Sequence, residues 1–256
     1  MRIFFILLGK ELRSFFLSPV AWVVLAMFMA ISGISFSWAV NHLAEKPQEQ
    51  SLVQWTFVPL WFWLYYPMIF PLITMRLFAE EQKLGTLESL LTAPVRTVQV
   101  LLAKYFSAVL FYVVLWLPVL LYFGVLNWVL KGQVEFPAGA LKGCYLILLL
   151  TGLFHLALGL LASALTRNQI VAASLGFGFI IMHFLGGIFL QTQALNPQLK
   201  NILLPKELVQ HMAIKGHIDS FSMGLLDTRP MMYYLSFTIL ILAITHQVLE
   251  YRRWKS

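Results

Sequence analysis

Charge is scarce in this chain of 256 residues. Asp, Glu, Lys and Arg make up 11% of it, and hydrophobic residues 60%. Soluble domains carry about a quarter charged residues, so the balance excludes a soluble domain folded on one core. Cysteine is scarcer still. Cys144 stands alone, which rules out an intrachain disulfide or a cysteine-built metal cluster. Acidic residues are missing from the long apolar runs. Glu11, Glu80, Glu81, Glu88 and Glu250 fall on one side of them, and Glu45, Glu49, Glu135, Glu207, Asp219 and Asp227 on the other. Ion-driven carriers commonly place carboxylates inside the membrane. The absence argues against a self-powered transporter, leaving open one that holds sodium on backbone carbonyls. There is no H-E-x-x-H, no G-x-S-x-G and no Walker-type phosphate loop. Glu80-Glu81 lacks histidines at the spacing of a zinc-type protease. The chain is therefore expected not to be an enzyme and to hold no metal or cofactor of its own. Any work it does is powered elsewhere.

What the sequence does have is apolar runs of membrane length, roughly twenty residues each. Six are read, at 19–41, 58–78, 98–123, 141–165, 170–190 and 231–250. They make an all-α integral membrane protein with a single domain over 1–256. An even number of spans puts both termini on one side. With the termini inside, eleven of the 18 Lys and Arg lie inside, among them Lys10, Arg76, Lys104 and the Arg252-Arg253-Trp254-Lys255 end. This bias favours cytoplasmic termini. The net charge of +7 reads as topogenic, and nucleic acid is not an expected partner. Ile3 to Leu8 is too short for a signal-peptide core, and no cleavage is expected.

Residues 2–17 read as a helix lying in the lipid interface, stopped by Ser18-Pro19. The second span carries Trp55, Trp61, Trp63, Tyr65 and Tyr66 near its outer end as an aromatic belt. Pro67 and Pro71 within it predict a kink. The fifth span is rich in small residues, including Gly176, Gly178, Gly186 and Gly187, which let helices approach closely. Packing within the subunit and a seam between subunits both fit. His155, His183 and His246 fall within spans, on three different helices. Interhelical hydrogen bonds account for them, and a metal or proton site would need them to converge.

Between the second and third spans, residues 79–94 leave the membrane pattern. Gly85 suits a left-handed helix end. Thr86 can cap a following helix, and Glu88 lies in that helix's first turn. Leu87, Leu90 and Leu91 share a face, and Pro94 stops the helix. Such a helix can seat its leucines in a partner's groove or rest on lipid headgroups.

The stretch Thr74-Met-Arg-Leu-Phe-Ala-Glu-Glu-Gln-Lys-Leu-Gly-Thr-Leu-Glu-Ser-Leu-Leu-Thr-Ala-Pro94 resembles the signature of ABC-2-type transporter permeases. The likeness is nearest to the subgroup of the gliding-motility-associated and nitrous-oxide-reductase-maturation permeases. Lys10 to Pro19, and His217 to Arg229 followed by Tyr233-Tyr-Leu-Ser, resemble that subgroup's entry and last outer loop. The resemblance implies the ABC-2, type V exporter-like fold. It implies a permease subunit that pairs with a second permease, identical or not, in a bacterial inner membrane. A separate ABC ATPase subunit, holding ATP and Mg, would dock on it. By that likeness Glu80, Glu81, Gly85, Thr86, Leu87, Glu88, Leu90 and Leu91 lie in the ATPase-coupling region. Arg167, in the loop 166–169, would be a second contact unless that loop is a plain hairpin. The outer loop 191–229 would fold back over the exit. His217, Asp219, Asp227 and Arg229 there read as caps and salt bridges ahead of a metal site. Export is the implied activity. The alternative is a non-transporting anchor of a motility or secretion machine driven by an associated ATPase.

Overall fold

The computed structural model describes residues 2–45, 51–57, 59–92, 94–131, 138–195 and 214–255, and among them there is no strand. The chain opens with α1 (Arg2–Phe16), an amphipathic helix lying against α7 (Thr97–Val129). Phe15 of α1 stacks on Phe111 at 5.2 Å between ring centroids, while Phe5 and Ile6 are exposed on the opposite side. A helix with apolar residues on its free side suits the headgroup boundary. The Trp22 Nε1–H donates to the Phe16 carbonyl at 2.8 Å and fixes the corner into α2 (Pro19–Glu45). The buried positions of α2 are Ala21, Val24, Phe28, Ser32, Ser35 and Ala39. Their steps of three and four residues put them on one face, and the remainder faces outward.

Among the described residues, five helices are long and apolar enough to cross a membrane: α2, α7, α8 (Ala138–Leu165), α9 (Gln169–Leu195) and α11 (Thr228–Lys255). The second predicted span differs. It begins with a separate short helix, α3 (Leu52–Phe57), turns at Pro59, and continues as α4 (Leu60–Thr74). α4 has 15 residues, about 22 Å, and runs on through both Pro67 and Pro71. It stops four residues before the expected end because Ser163 of α8 supplies other partners. The backbone N–H groups of Phe78 and Ala79 donate to Ser163 Oγ at 3.0 and 3.1 Å, and the Ser163 hydroxyl donates to the Met75 carbonyl. A side chain that offers the backbone these bonds competes with the helical ladder.

α8 is the axle of the bundle, the most buried of the long helices. It touches α4, α7, α9, α11 and α10 (Ile214–Ser222). Its glycines are sites of close approach. A Cβ on Gly152 would strike the Tyr112 ring, and one on Gly159 would fall on the Thr74 hydroxyl. The core is aromatic: Phe28, Phe57, Phe62, Tyr66, Phe70, Tyr112 and Trp116 are all buried. Tyr66 therefore does not join an aromatic belt. Its hydroxyl is hydrogen-bonded to Thr151 at 2.8 Å and Tyr112 at 3.1 Å inside the bundle. Of the outer loop, α9 extends to Leu195, and α10 packs on α8, α9 and α3. Residues 196–213 lie outside the described ones.

Candidate functional site

Two short helices project from one end of the bundle. α5 (Ala79–Leu84) ends at Gly85, whose φ of 71° is the left-handed conformation expected of it. α6 (Thr86–Thr92) starts at once. Thr86 does not cap α6. Its hydroxyl donates backward to the Glu81 carbonyl at 3.3 Å and closes the elbow between the two helices.

The leucines point the other way from the sequence expectation. Leu87 is 3% exposed and Leu90 packs against the core; the side chain of Leu91 lies outside the described ones. Burying an apolar side chain against the bundle gains about 2 kcal/mol, so these leucines anchor α6. The face left outward carries Lys83, Thr86, Glu88, Ser89 and Thr92, with Leu84 67% exposed at the apex. Arg167 lies beside it, 4.0 Å from the Glu88 carboxylate. Both are well exposed, so the pair contributes little energy. It does bring the loop 166–169 and α6 onto one surface.

Two grips hold the elbow. The first reaches α8 and α11. Besides the Ser163 bonds, Gln82 Nε2–H donates to the Ala164 carbonyl at 3.1 Å, and Arg252 Nη1–H donates to Gln82 Oε1 at 2.6 Å. Arg252 also donates to the Leu165 carbonyl at 3.1 Å. These carbonyls belong to the last turn of α8, where helical partners run out.

The second grip reaches α1 and α7. Lys104, 2% exposed, places its Nζ 2.9 Å from Glu81 Oε1 and 3.0 Å from Glu11 Oε1. Lys10 Nζ lies 3.4 Å from Glu81 Oε1. Beside them Arg76 donates to Ser18 Oγ at 2.6 Å and faces Glu80 at 3.8 Å. A cavity of about 350 Å³ separates α1 from α5 here, walled by Glu11, Arg76, Glu80, Glu81 and Lys104. A buried ammonium is tolerated only when paired, and Lys104 has two carboxylates. Glu81 thus belongs to the grip inside the elbow, while Glu80, half exposed, lines the cavity beside it and pairs with Arg76. Lys104 carried a readable signal, a lone cation inside an apolar run, which needs a partner. Ser163 and Gln82 gave none.

The glycines of the fifth span divide. Gly176 packs within the chain, on Gly159, Ala162 and Pro71, whereas Gly178 and Gly186 have open space where a Cβ would stand; Gly187 is buried. His155 and His183 converge: Nε2 of the first lies 3.2 Å from Nδ1 of the second. His246 does not join them and sits 3.7 Å from Glu250. No group of three metal ligands forms among the described residues. In the outer loop His217 is hydrogen-bonded to the Tyr234 hydroxyl at 3.1 Å. Asp227 accepts from the Arg229 N–H at 2.9 Å and faces its guanidinium at 3.9 Å, which caps the start of α11.

Compared with known proteins, residues 17–185, more than half of the chain, match the family model described as ABC-2 family transporter protein. The match is to the family as a whole and does not reach the gliding or nitrous-oxide-reductase subgroup. Among curated proteins none matches.

Proposed function

The chain belongs to the ABC-2 transporter family, a multi-pass membrane protein with a permease role, and on that premise we propose that it converts ATP hydrolysis on a separate subunit into movement of a substrate across the membrane. Two such permeases pair, identical or not. The elbow α5–α6 faces the cytoplasm, together with both termini, and the ATPase, which holds ATP and Mg, docks on its outward face. Docking uses Leu84, Thr86, Glu88 and Arg167. Force then passes inward along both grips, through Gln82 to α8 and α11, and through Glu81 to α1 and α7. The direction is export.

One observation carries this reading: a projecting helix pair whose outer face is free while its inner face is fastened to four of the bundle's helices. A headgroup-resting helix would need no such fastening. Leu84→Asp combined with Glu88→Lys changes only exposed side chains. The variant is expected to fold and reach the membrane, yet to lose co-purification with its ABC ATPase partner and to lose transport. Retained ATPase binding in that variant would overturn the docking face.

A further inference from the structure

Above the elbow, in the middle of the bundle, lies a cluster that coupling leaves unused. Along α8, His155 stands about 12 Å from Ser163 and about 18 Å from Gly143. His155 is 1% exposed. Its Nε2 meets Nδ1 of His183 on α9 at 3.2 Å, and Nε2 of His183 meets the Tyr233 hydroxyl on α11 at 3.2 Å. The other nitrogen of His155, Nδ1, is buried without a hydrogen-bond partner. Three helices are therefore tied by one string of exchangeable protons.

The proton count of the string has few solutions. Each neutral imidazole carries one N–H. If His183 donates to His155, Tyr233 donates to His183, and His155 Nδ1–H points at nothing. If His155 donates, His183 donates to Tyr233, and His155 Nδ1 is a bare lone pair. The second arrangement has a vacant basic nitrogen; in the first, the proton to complete the set goes to His183 Nε2. Either way one added proton gives the same cation: a shared N–H between the rings, an N–H toward Tyr233, and a charged N–H on His155 with no acceptor. Tyr233 is then fixed as acceptor, and its own O–H needs a new partner.

Among the described residues, the groups facing the pair offer no countercharge that would hold the cation in place. Tyr66 of α4 and Tyr233 and Tyr234 of α11 lie against the pair, and behind them Tyr112 of α7 bonds Tyr66 and His217 of α10 bonds Tyr234. All are phenols or imidazoles, and among the described residues no carboxylate completes a group of three with the histidines. An unpaired charge inside a membrane bundle draws in water. Water entering between α8, α9 and α11 would satisfy both the His155 N–H and the Tyr233 O–H, at the expense of helix contact.

We propose that His155, His183 and Tyr233 form an intramembrane proton-binding site, and that taking up one proton from bulk water opens the seam between α8, α9 and α11. The ends of α8 and α11 are the ones that grip Gln82, so the site bears on the elbow from above. The site stands or falls without reference to any ATPase.

Its test uses the whole chain in nanodiscs, with imidazole-¹⁵N histidine resonances followed from about pH 8 down to about pH 3.5. The two rings are expected to titrate together as one coupled site that takes up one proton. Spin labels on Met182→Cys and Leu235→Cys, with Cys144→Ala, are expected to move apart over the same range. His183→Gln keeps hydrogen-bonding groups but cannot take the proton, and should abolish the distance change. Tyr233→Phe leaves both histidines and should shift the midpoint, which keeps the test alive if the glutamine variant fails to fold. Rings that stay neutral while the protein remains folded overturn the proposal. So does protonation that leaves the label distance unchanged.

Discussion

Lys104 shows how much one side chain can carry. It is enclosed, and both partners, Glu11 and Glu81, come from other helices. Removing one member of a buried pair leaves the others uncompensated and costs about 3 to 5 kcal/mol. Lys104→Ala should therefore lower the thermal midpoint of the purified protein sharply, whereas Arg167→Ala, which breaks only an exposed pair, should hardly move it. A thermal shift assay of both variants checks the contrast. Gly159 is a second case. Its Cα faces Thr74 with no room for a methyl group. Gly159→Ala should destabilise by about 1 to 3 kcal/mol, and Thr74→Ala in the same chain should restore part of the loss. At this scale the sequence is legible in part. Gly85 can be read because a helix end in the left-handed region favours glycine. The glycines of α8 do not stand out ahead of those of α9, since both helices are rich in small residues and only the fold shows which backbone is approached. The same applies to the leucines of α6. Their spacing says that they share a face, and nothing in the spacing says which way the face turns.

Among the elements, α5 is the one whose placement matters most. Six residues long, it holds few contacts of its own and is positioned by neighbours at both edges. Ser163→Ala removes the acceptor for two backbone N–H groups and the donor to Met75. Leaving buried donors unmet costs about 1 to 3 kcal/mol each. Residues 75–78 should loosen, and hydrogen exchange at Phe78 and Ala79 should speed up while exchange in α7 stays unchanged. On the proposed function, Arg252→Ala should spare ATPase docking but weaken the link between nucleotide turnover and transport, seen as hydrolysis that no longer scales with export. Element limits are largely readable. Runs of apolar residues give α2, α7, α8, α9 and α11 to within a few residues at most ends. α4 falls short of its expected end because the hydroxyl that ends it comes from a residue 85 positions away, beyond the reach of any local pattern.

In the whole molecule, the elbow, α1, the end of α8 and the end of α11 gather at one end, with α3, α10 and the start of α8 at the other. Lys10 of α1 and Arg252 of α11 both reach α5, so the first and last helices meet at one end. Cys144 is buried, so single cysteines placed elsewhere report their own surroundings. Ser89→Cys and Arg253→Cys should react with an impermeant thiol reagent from the cytoplasmic side of vesicles. Leu225→Cys should react only from the other side. Labelling of Ser89→Cys and Leu225→Cys from the same side would contradict the arrangement of the bundle.

Lys10 of the first helix reaches Glu81, and Arg252 of the last reaches Gln82. Neighbouring residues of one short helix are thus tethered to opposite extremes of the chain. An affinity tag or fluorescent fusion at either extreme tugs on the same lever, and a tagged protein that looks inactive can be suffering from its handle. The turn holding Met223, Leu225 and Leu226, exposed at the far end, is the safer place to attach one.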